Sequence, residues 1–312
     1  MTNSSNNTFI NLKNETRASF TAYYPLALIT VGTLLNTFTF IILCQPAFKN
    51  TAAKPTIHYM RAIAIFDIIM LYGWNFDHYL LEVHGYTLQL YSVPFCKICS
   101  FLNYFTPQMS AWLRVFICLD RYLSLSRLER TWFSHSKNVL IIIASNSIVF
   151  TIINAHILLF SCFYDTDGSI NPSAQWYEIY PMWDYVNLGL YNCIPFILMV
   201  AFDSGVIYHL IRADQVTTIQ HQRIQHRSIT ITLVITTVLF LTMTIPATVF
   251  YGFFTSTASY VILHLLDSLL YTYHILSFPL YFVTLAKFRR IVLRFVTPEK
   301  LCRTRVENSP IL

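Results

Sequence analysis

Charge is what this chain has least of. Asp, Glu, Lys and Arg together make up 12% of its 312 residues, against about 25% in soluble domains. Hydrophobic residues reach 55% and aromatics 16%. A soluble globule of this length cannot bury so much apolar surface, so lipid must cover part of it. No soluble domain fits, because every connection between apolar segments is short. There is no low-complexity stretch and no strong repeat; asparagines crowd only the first 14 positions. Residues 1–20 lack a basic start followed by an apolar core, so no cleavable signal is expected. Catalytic signatures are missing too. The chain has no His-Glu-x-x-His, no Gly-x-Ser-x-Gly and no paired catalytic Asp, and its 10 His are scattered. The expectation is therefore no enzyme, no metal site and no cofactor. The net charge of +6 would suggest nucleic acid only if it were clustered on a soluble domain, and no nucleic-acid partner is expected.

What is there is a series of seven apolar segments, each long enough for a bilayer core that takes about 20 residues to cross. They run roughly Tyr24–Cys44, Ile57–Leu81, Cys96–Leu125, Val139–Phe163, Tyr180–Ile211, Ile229–Phe254 and Ala258–Leu285. The fold class expected is an all-α membrane protein, a bundle of seven spans. Residues 287–296 (KFRRIVLRFV) alternate basic and apolar side chains at helical spacing, which predicts an amphipathic helix lying on the bilayer surface. The chain divides into an outer tail (1–23), the membrane bundle (24–286) and an inner amphipathic helix with its tail (287–312). Three sequons, at Asn3, Asn6 and Asn14, suggest that the first segment is extracellular and glycosylated. The charge bias agrees: only Lys13, Arg17 and Lys97 would face outward, while Lys49, Lys54, Arg127, Arg130, Lys137, Arg212 and the run from Lys287 to Arg294 fall on the other side. An odd number of spans then puts the C-terminus inside, in a multi-pass protein of the plasma membrane.

The third segment carries the densest signal. Cys96 opens it, Ser110 and Arg114 share a face one turn apart, and Asp120-Arg121-Tyr122 closes it, with Arg121 lying 25 residues beyond Cys96. This resembles the third span of a rhodopsin-like (class A) G-protein-coupled receptor. The likeness extends along all seven segments, through Asn36, Asp67, Pro195, Phe240 with Pro246, and Pro279, and it marks a divergent, invertebrate-type member. The resemblance implies that Cys96 bridges to the second outer loop, where Cys162 is the available cysteine and Cys99 remains an alternative donor in place of Cys96. It implies that Arg121 holds a cytoplasmic gate, with Asp120, Tyr122, Asp203, Pro246, Pro279 and Phe282 taking part in activation. It further implies that Asp67, with Ser110, helps hold a sodium ion, and that Asn36 of the same polar core bonds backbone and neighbouring spans. Cys44, Cys118 and Cys193 read as buried free thiols.

The departures from that pattern are informative. The fourth span has no Trp, and its Ser145, Asn146, Ser147, Asn154 and His156 read as interhelical hydrogen-bonding groups. The sixth span has Thr244 where the family has Trp; a Thr can cap a carbonyl freed by the Pro246 kink. The seventh has Phe278 and Phe282 where the family has a polar residue and a Tyr. The sixth has no acid to clasp Arg121, with His226 and Arg227 at its inner end. The fifth has Asp203 where a Tyr is usual. Arg114 lies where the family has an aliphatic residue. An unpaired Arg at mid-bilayer costs about 2.5–3.5 kcal/mol on insertion scales, so it needs an anion. Asp67 is the expected partner, making Arg114 a built-in replacement for sodium, and Asp203 is the competitor.

The outer half is rich in acids: Glu15, Asp77, Glu82, Asp165, Asp167, Glu178, Asp184 and Asp267. Such a field attracts cations. The family's amine-binding Asp falls at Asn103, so a basic peptide is preferred to a small amine. Asp77, Asn103, Gln108, Tyr251, Asp267 and Tyr271 lie at the depth of the family's ligand pocket. The expected partners are thus an extracellular cationic ligand, a heterotrimeric G protein and the bilayer. A seven-span chemoreceptor for small molecules is the variant reading. A transporter or channel is the third, disfavoured because neither two similar halves nor broken helices are legible.

Overall fold

The computed structural model describes residues 2–48, 54–126, 135–174, 182–213, 220–254 and 259–296, without the side chains of 2–21, 54, 213–228 and 260. The sequons at Asn3, Asn6 and Asn14, the cysteine at 302, and Arg223, His226 and Arg227 of the sixth span's inner end therefore lie outside the described side chains. Helices follow one another as α1 (Thr2–Leu43), α2 (Lys54–His84), α3 (Val93–Ser126) and α4 (Ser136–Phe160). A two-stranded hairpin comes next, β1 (Ser161–Tyr164) and β2 (Ile170–Ala174). The fifth span is composite: α5 (Met182–Asn187), a π-helical turn (Leu188–Cys193) and α6 (Ile194–Ala213). Then come α7 (Gln220–Phe254), α8 (Tyr260–Tyr273), α9 (Ser277–Thr284) and α10 (Ala286–Val296).

Among the described residues, five helical segments are long and apolar enough to cross a bilayer: Ala22–Leu43, Pro55–His84, Ser136–Phe160, Met182–Arg212 and Ile229–Phe254. The pair α8 and α9, bent by 44° at a short break, is together long and apolar enough for a sixth. The seventh helix of the bundle is α3, which is less apolar than the sequence reading expected of its organising span. The reason is its position. It packs against α2, α4 and α6, and its polar residues Thr106, Gln108, Ser110, Arg114, Asp120 and Arg121 are all buried among protein neighbours. A helix walled by other helices need not be apolar enough for lipid. The outer faces are the reverse: Leu34, Ile152, Ile197, Leu265 and Val283 are exposed while Asn36, Asp67 and Arg114 are buried. That is the polarity of a bundle whose solvent is hydrocarbon.

Three local features depart from the sequence reading. The connection after α4, read as loop in an all-α protein, holds the antiparallel hairpin, with Phe163 opposite Asn171 and Tyr164 opposite Ile170. Its turn needs Gly168, whose φ is 82°. Ser169 donates its hydroxyl and its backbone N–H to Asp167 Oδ1 (2.6 and 2.9 Å), which holds that carboxyl below its ordinary range. The seventh span, read as one helix, is broken at 274–276. Among the described free thiols only Cys118 is buried; Cys44 and Cys193 are exposed.

The composite fifth span has a specific cause. In the π turn the N–H of Ile194 reaches back to the Gly189 carbonyl. The same pattern would hand the Leu190 carbonyl to residue 195, a proline without an N–H. The Trp112 indole of α3 fills that gap, donating to Leu190 O at 2.9 Å. The wide turn also rolls Tyr191 and Asn192 into the core, where both are buried.

At the other end, Tyr122 lies across α6. A Cβ built on Gly205 would sit 2.6 Å from its ring, and Phe202 and His209 flank the same ring, with centroids 6.0 and 5.8 Å away. Gly205→Ala is therefore expected to lower stability by about 1–3 kcal/mol through overpacking, read as a drop in melting temperature of the purified chain. Ser204→Ala on the adjacent exposed position should leave it unchanged.

Candidate ligand site and ion cluster

The centre of the bundle is held by one carboxylate. Asp67 of α2 is fully buried. Its Oδ2 accepts from Arg114 Nη2 at 2.9 Å. Its Oδ1 accepts from the Ser110 hydroxyl at 2.5 Å and lies 2.7 Å from His274 Nδ1. Arg114 Nη1 also donates to the Ser110 oxygen, and its guanidinium lies 4.9 Å from the centroid of the Tyr273 ring. A neutral His274 satisfies two bonds at once: Nδ1–H donates to Asp67, and Nε2 accepts from the Tyr191 hydroxyl at 3.1 Å. Arg114 thus pairs with Asp67 and not with Asp203, which accepts from Thr237 Oγ1 at 2.8 Å and contacts the Cys118 thiol.

Asn36 explains why the seventh span breaks where it does. Its Nδ2 donates to the His274 carbonyl at 3.0 Å. A carbonyl released from its own helix inside a membrane needs such a donor. Pro279, early in α9, cannot donate back to Ile275. The break turns the His274 ring inward onto Asp67.

Two cavities flank the cluster. The one nearer the hairpin measures about 680 Å³ and is lined by Trp74, Asn103, Tyr104, Pro107, Asp184, Tyr185, Tyr191, Tyr251, Asp267 and Tyr271 among others. Tyr104 donates to Asp184 at 3.0 Å. Tyr251 and Trp74 donate to Asp267. The second cavity, about 460 Å³, lies toward α10; Arg114 is at its head, Met199, Leu233, Thr237 and Tyr281 line it, and Lys287 and Arg290 stand at its α10 side. Burial beside the Phe48 ring, 5.3 Å away, lowers the Lys287 ammonium from its ordinary value.

Of the six residues expected at the ligand pocket, Asn103, Tyr251, Asp267 and Tyr271 line the first cavity. Asp77 and Gln108 lie off its wall. Asp77 accepts from the backbone of Gln89 at 2.9 Å and so ties down the connection before α3. Gln108 is wholly buried, donating to Asn187 and accepting from Asn154 of α4. In α4, Asn146 likewise bonds Met109 Sδ of α3, whereas Ser147 bonds its own helix. Thr244 does not cap the carbonyl freed by Pro246, that of Thr242. Its hydroxyl faces Asn192 Oδ1 at 2.9 Å and Phe240 O at 2.7 Å, stitching α7 to the π turn.

Near α10, Arg121 pairs with its neighbour Asp120 at 2.6 Å, and Thr56 donates to the same carboxylate oxygen at 2.9 Å. Phe282 stacks with Phe278, with centroids 6.2 Å apart, and Phe278 meets Phe38 at 5.6 Å. An aromatic cluster replaces the polar seventh-span residues, and the tyrosine facing the cavity is Tyr281, one position earlier than expected. Cys96 and Cys162 form a disulfide with Cα atoms 6.0 Å apart; Cys99 is free.

A family model described as serpentine type 7TM GPCR chemoreceptor Srw matches residues 23–178, half of the chain. The chain belongs to the Srw chemoreceptor family. This is a receptor family of the G-protein-coupled type rather than an enzyme family. The match takes in α1 to the hairpin, and with them Asn36, Asp67, Cys96, Arg114, Arg121 and Cys162. Asp184, Tyr191, Asp203, Asp267 and His274 lie beyond it. Sequence reasoning missed His274, Tyr191 and Asp184 as members of the Srw chain's two polar sites. One signal was available for the first: a buried Asp wants several donors, and His274 is a donor five residues before Pro279.

Proposed function

We propose that this Srw chain is a divergent rhodopsin-like receptor of the plasma membrane that passes the binding of an extracellular cation-bearing ligand to a heterotrimeric G protein. One observation carries the reading. The two cavities are joined by a single chain of contacts, Tyr191 to His274 to Asp67 to Arg114. Tyr191 lines the hairpin-end cavity and Arg114 the α10-end cavity. A ligand that moves Tyr191 shifts a hydrogen bond whose far end is a buried ion pair facing the opposite cavity. That is a two-state element biased from one side and read from the other.

In this proposal residues 1–23 form the glycosylated outer tail, 24–286 the receptor bundle and 287–312 the inner amphipathic helix and tail. The hairpin end is extracellular and α10 lies on the inner leaflet. Arg121 leaves Asp120 to meet the G protein, Tyr122 and Asp203 steady α3 against α6 and α7, and Pro246, Pro279 and Phe282 set the bends that open the inner cavity. Asp67 needs no sodium ion, because Arg114 supplies the positive charge. The ligand is a peptide with basic side chains. A small-molecule chemoreceptor is the second reading, favoured by the family's description and by a cavity within the ~300–1,000 Å³ range of small-ligand sites.

A G-protein activation assay in cells tests it, with basic peptides and small cations as probes. Ligand-dependent activation is expected from the wild type and at least a tenfold loss from Arg121→Ala at equal surface expression. Activation that survives Arg121→Ala undiminished would remove Arg121 from the coupling mechanism. A current or substrate flux in the same cells would favour a transporter, a class whose broken helices this chain does share in its seventh span.

A further inference from the structure

We propose that the hairpin-end cavity takes two positive charges at once, one against Asp184 and one against Asp267, held on a ligand with an apolar spacer. The inference deepens the ligand reading above and rests on it for the side from which the ligand enters. The two carboxylates come from different walls, Asp184 from α5 and Asp267 from α8. Tyr251 of α7 lies within Coulombic reach of both. None of the residues that line the cavity is Lys, Arg or His. Among the described residues the two acids meet neutral donors: the Tyr104 hydroxyl for Asp184, and the Tyr251 hydroxyl and Trp74 indole for Asp267.

Burial makes this arrangement costly. Asp267 is only 9% exposed, and a buried carboxylate without a countercharge is unfavourable whatever its neutral hydrogen bonds. The ion pair at Asp67 is satisfied within the fold by Arg114; the pair Asp184 and Asp267 is not. One positive charge would neutralise one acid and leave the other. Two positive charges neutralise both. The space between is walled by Trp74, Tyr104, Tyr251 and Tyr271, whose faces favour cations and whose bodies suit methylene spacers. Where the rhodopsin-like resemblance would put an amine-binding Asp, the cavity wall has the neutral Asn103. The chemistry required is a pair of ammonium or guanidinium groups, supplied by a free diamine or by two basic groups of a peptide.

The test is equilibrium binding to the purified full chain in lipid nanodiscs, without G protein, so that failure of coupling and failure of this site are read separately. The probes are putrescine, cadaverine and 1,6-diaminohexane, the monoamines of matched length, and an arginyl-arginine dipeptide amide beside alanyl-alanine amide. Diamines or the dibasic dipeptide are expected to bind at least about tenfold tighter than their matched monocation. Asp184→Asn and Asp267→Asn should each remove that preference and weaken the dication at least about tenfold. Both variants keep a hydrogen-bonding side chain of the same shape, so without ligand neither should melt lower than wild type: Asp267→Asn removes a buried uncompensated charge, and Asp184 is only half-buried. Binding of the dipeptide but not the diamines assigns the charges to a peptide; the reverse assigns them to a free diamine. Monocations binding as tightly as dications overturns the proposal. So does a dication preference that persists in either Asn variant, or the absence of saturable binding by every dication in the wild type.

Discussion

Arg114→Met should lower the stability of the purified chain by about 3–5 kcal/mol, the cost of leaving one partner of a buried ion pair alone. Asp67 would keep the Ser110 hydroxyl and His274 Nδ1 but lose its only full positive charge among the described residues. Asp67→Asn should cost as much from the other side, stranding a guanidinium with Ser110 and the face of Tyr273. The double variant Asp67→Leu/Arg114→Met should recover most of the loss, since neither half of the pair is then left without its partner. Thermal unfolding in detergent is the measurement, and a drop of roughly 10 °C is expected for each single change. Sodium provides the sharper discrimination. Because Arg114 already pairs with Asp67, raising sodium at constant ionic strength should leave the wild-type melting temperature where it is. A sodium-dependent gain that vanishes in Asp67→Asn would show that the ion, not the arginine, balances the carboxylate.

Removing the disulfide should have the second-largest effect. It joins residues 66 apart in sequence and fixes the hairpin to the first turn of α3. Loss of a native disulfide costs about 2–5 kcal/mol; the lower half of that range is expected here, because helices in lipid leave less entropy for a cross-link to remove. The bond also holds Cys162 at a φ of 57°, a left-handed conformation uncommon for any residue but glycine. The irregular register between Ser161 and Phe163 sits at the same place. Cys96→Ser and Cys162→Ser should therefore both lower the melting temperature and the fraction reaching the cell surface. Cys99→Ser should do neither. A reducing agent should destabilise the wild type and leave Cys96→Ser unaffected.

Much of this was legible because membranes impose strong rules. Seven apolar segments can be read as spans without any contact being known, since lipid forbids an unpaired backbone. Arg114 in an apolar run demands an anion on energetic grounds alone, and Asp67 was the expected one, with Asp203 its competitor. The hairpin, the π turn and the break at 274–276 were not legible in the same way. The π turn and the break are departures from uniform helix that hold only when a distant side chain takes up the released backbone group. Trp112 does this for Leu190, and Asn36 for His274. Neither donor is near its acceptor in sequence.

The pocket shows the same division. Depth along a helix can be counted from the sequence, and it brought Asn103, Tyr251, Asp267 and Tyr271 to the cavity wall. Depth does not give rotation, and Gln108 and Asp77 face neighbouring elements instead. Asp184 precedes a π turn that changes the helical phase after it, so no count from Pro195 could place it. By itself, the order of amino acids determined that this is a lipid-covered helical bundle with a few ions inside, because hydrophobicity and charge are properties each residue carries alone. Tertiary structure decided which ions meet, which stay unmatched and which cavity they face, because those depend on helix rotation and on breaks that only packing stabilises.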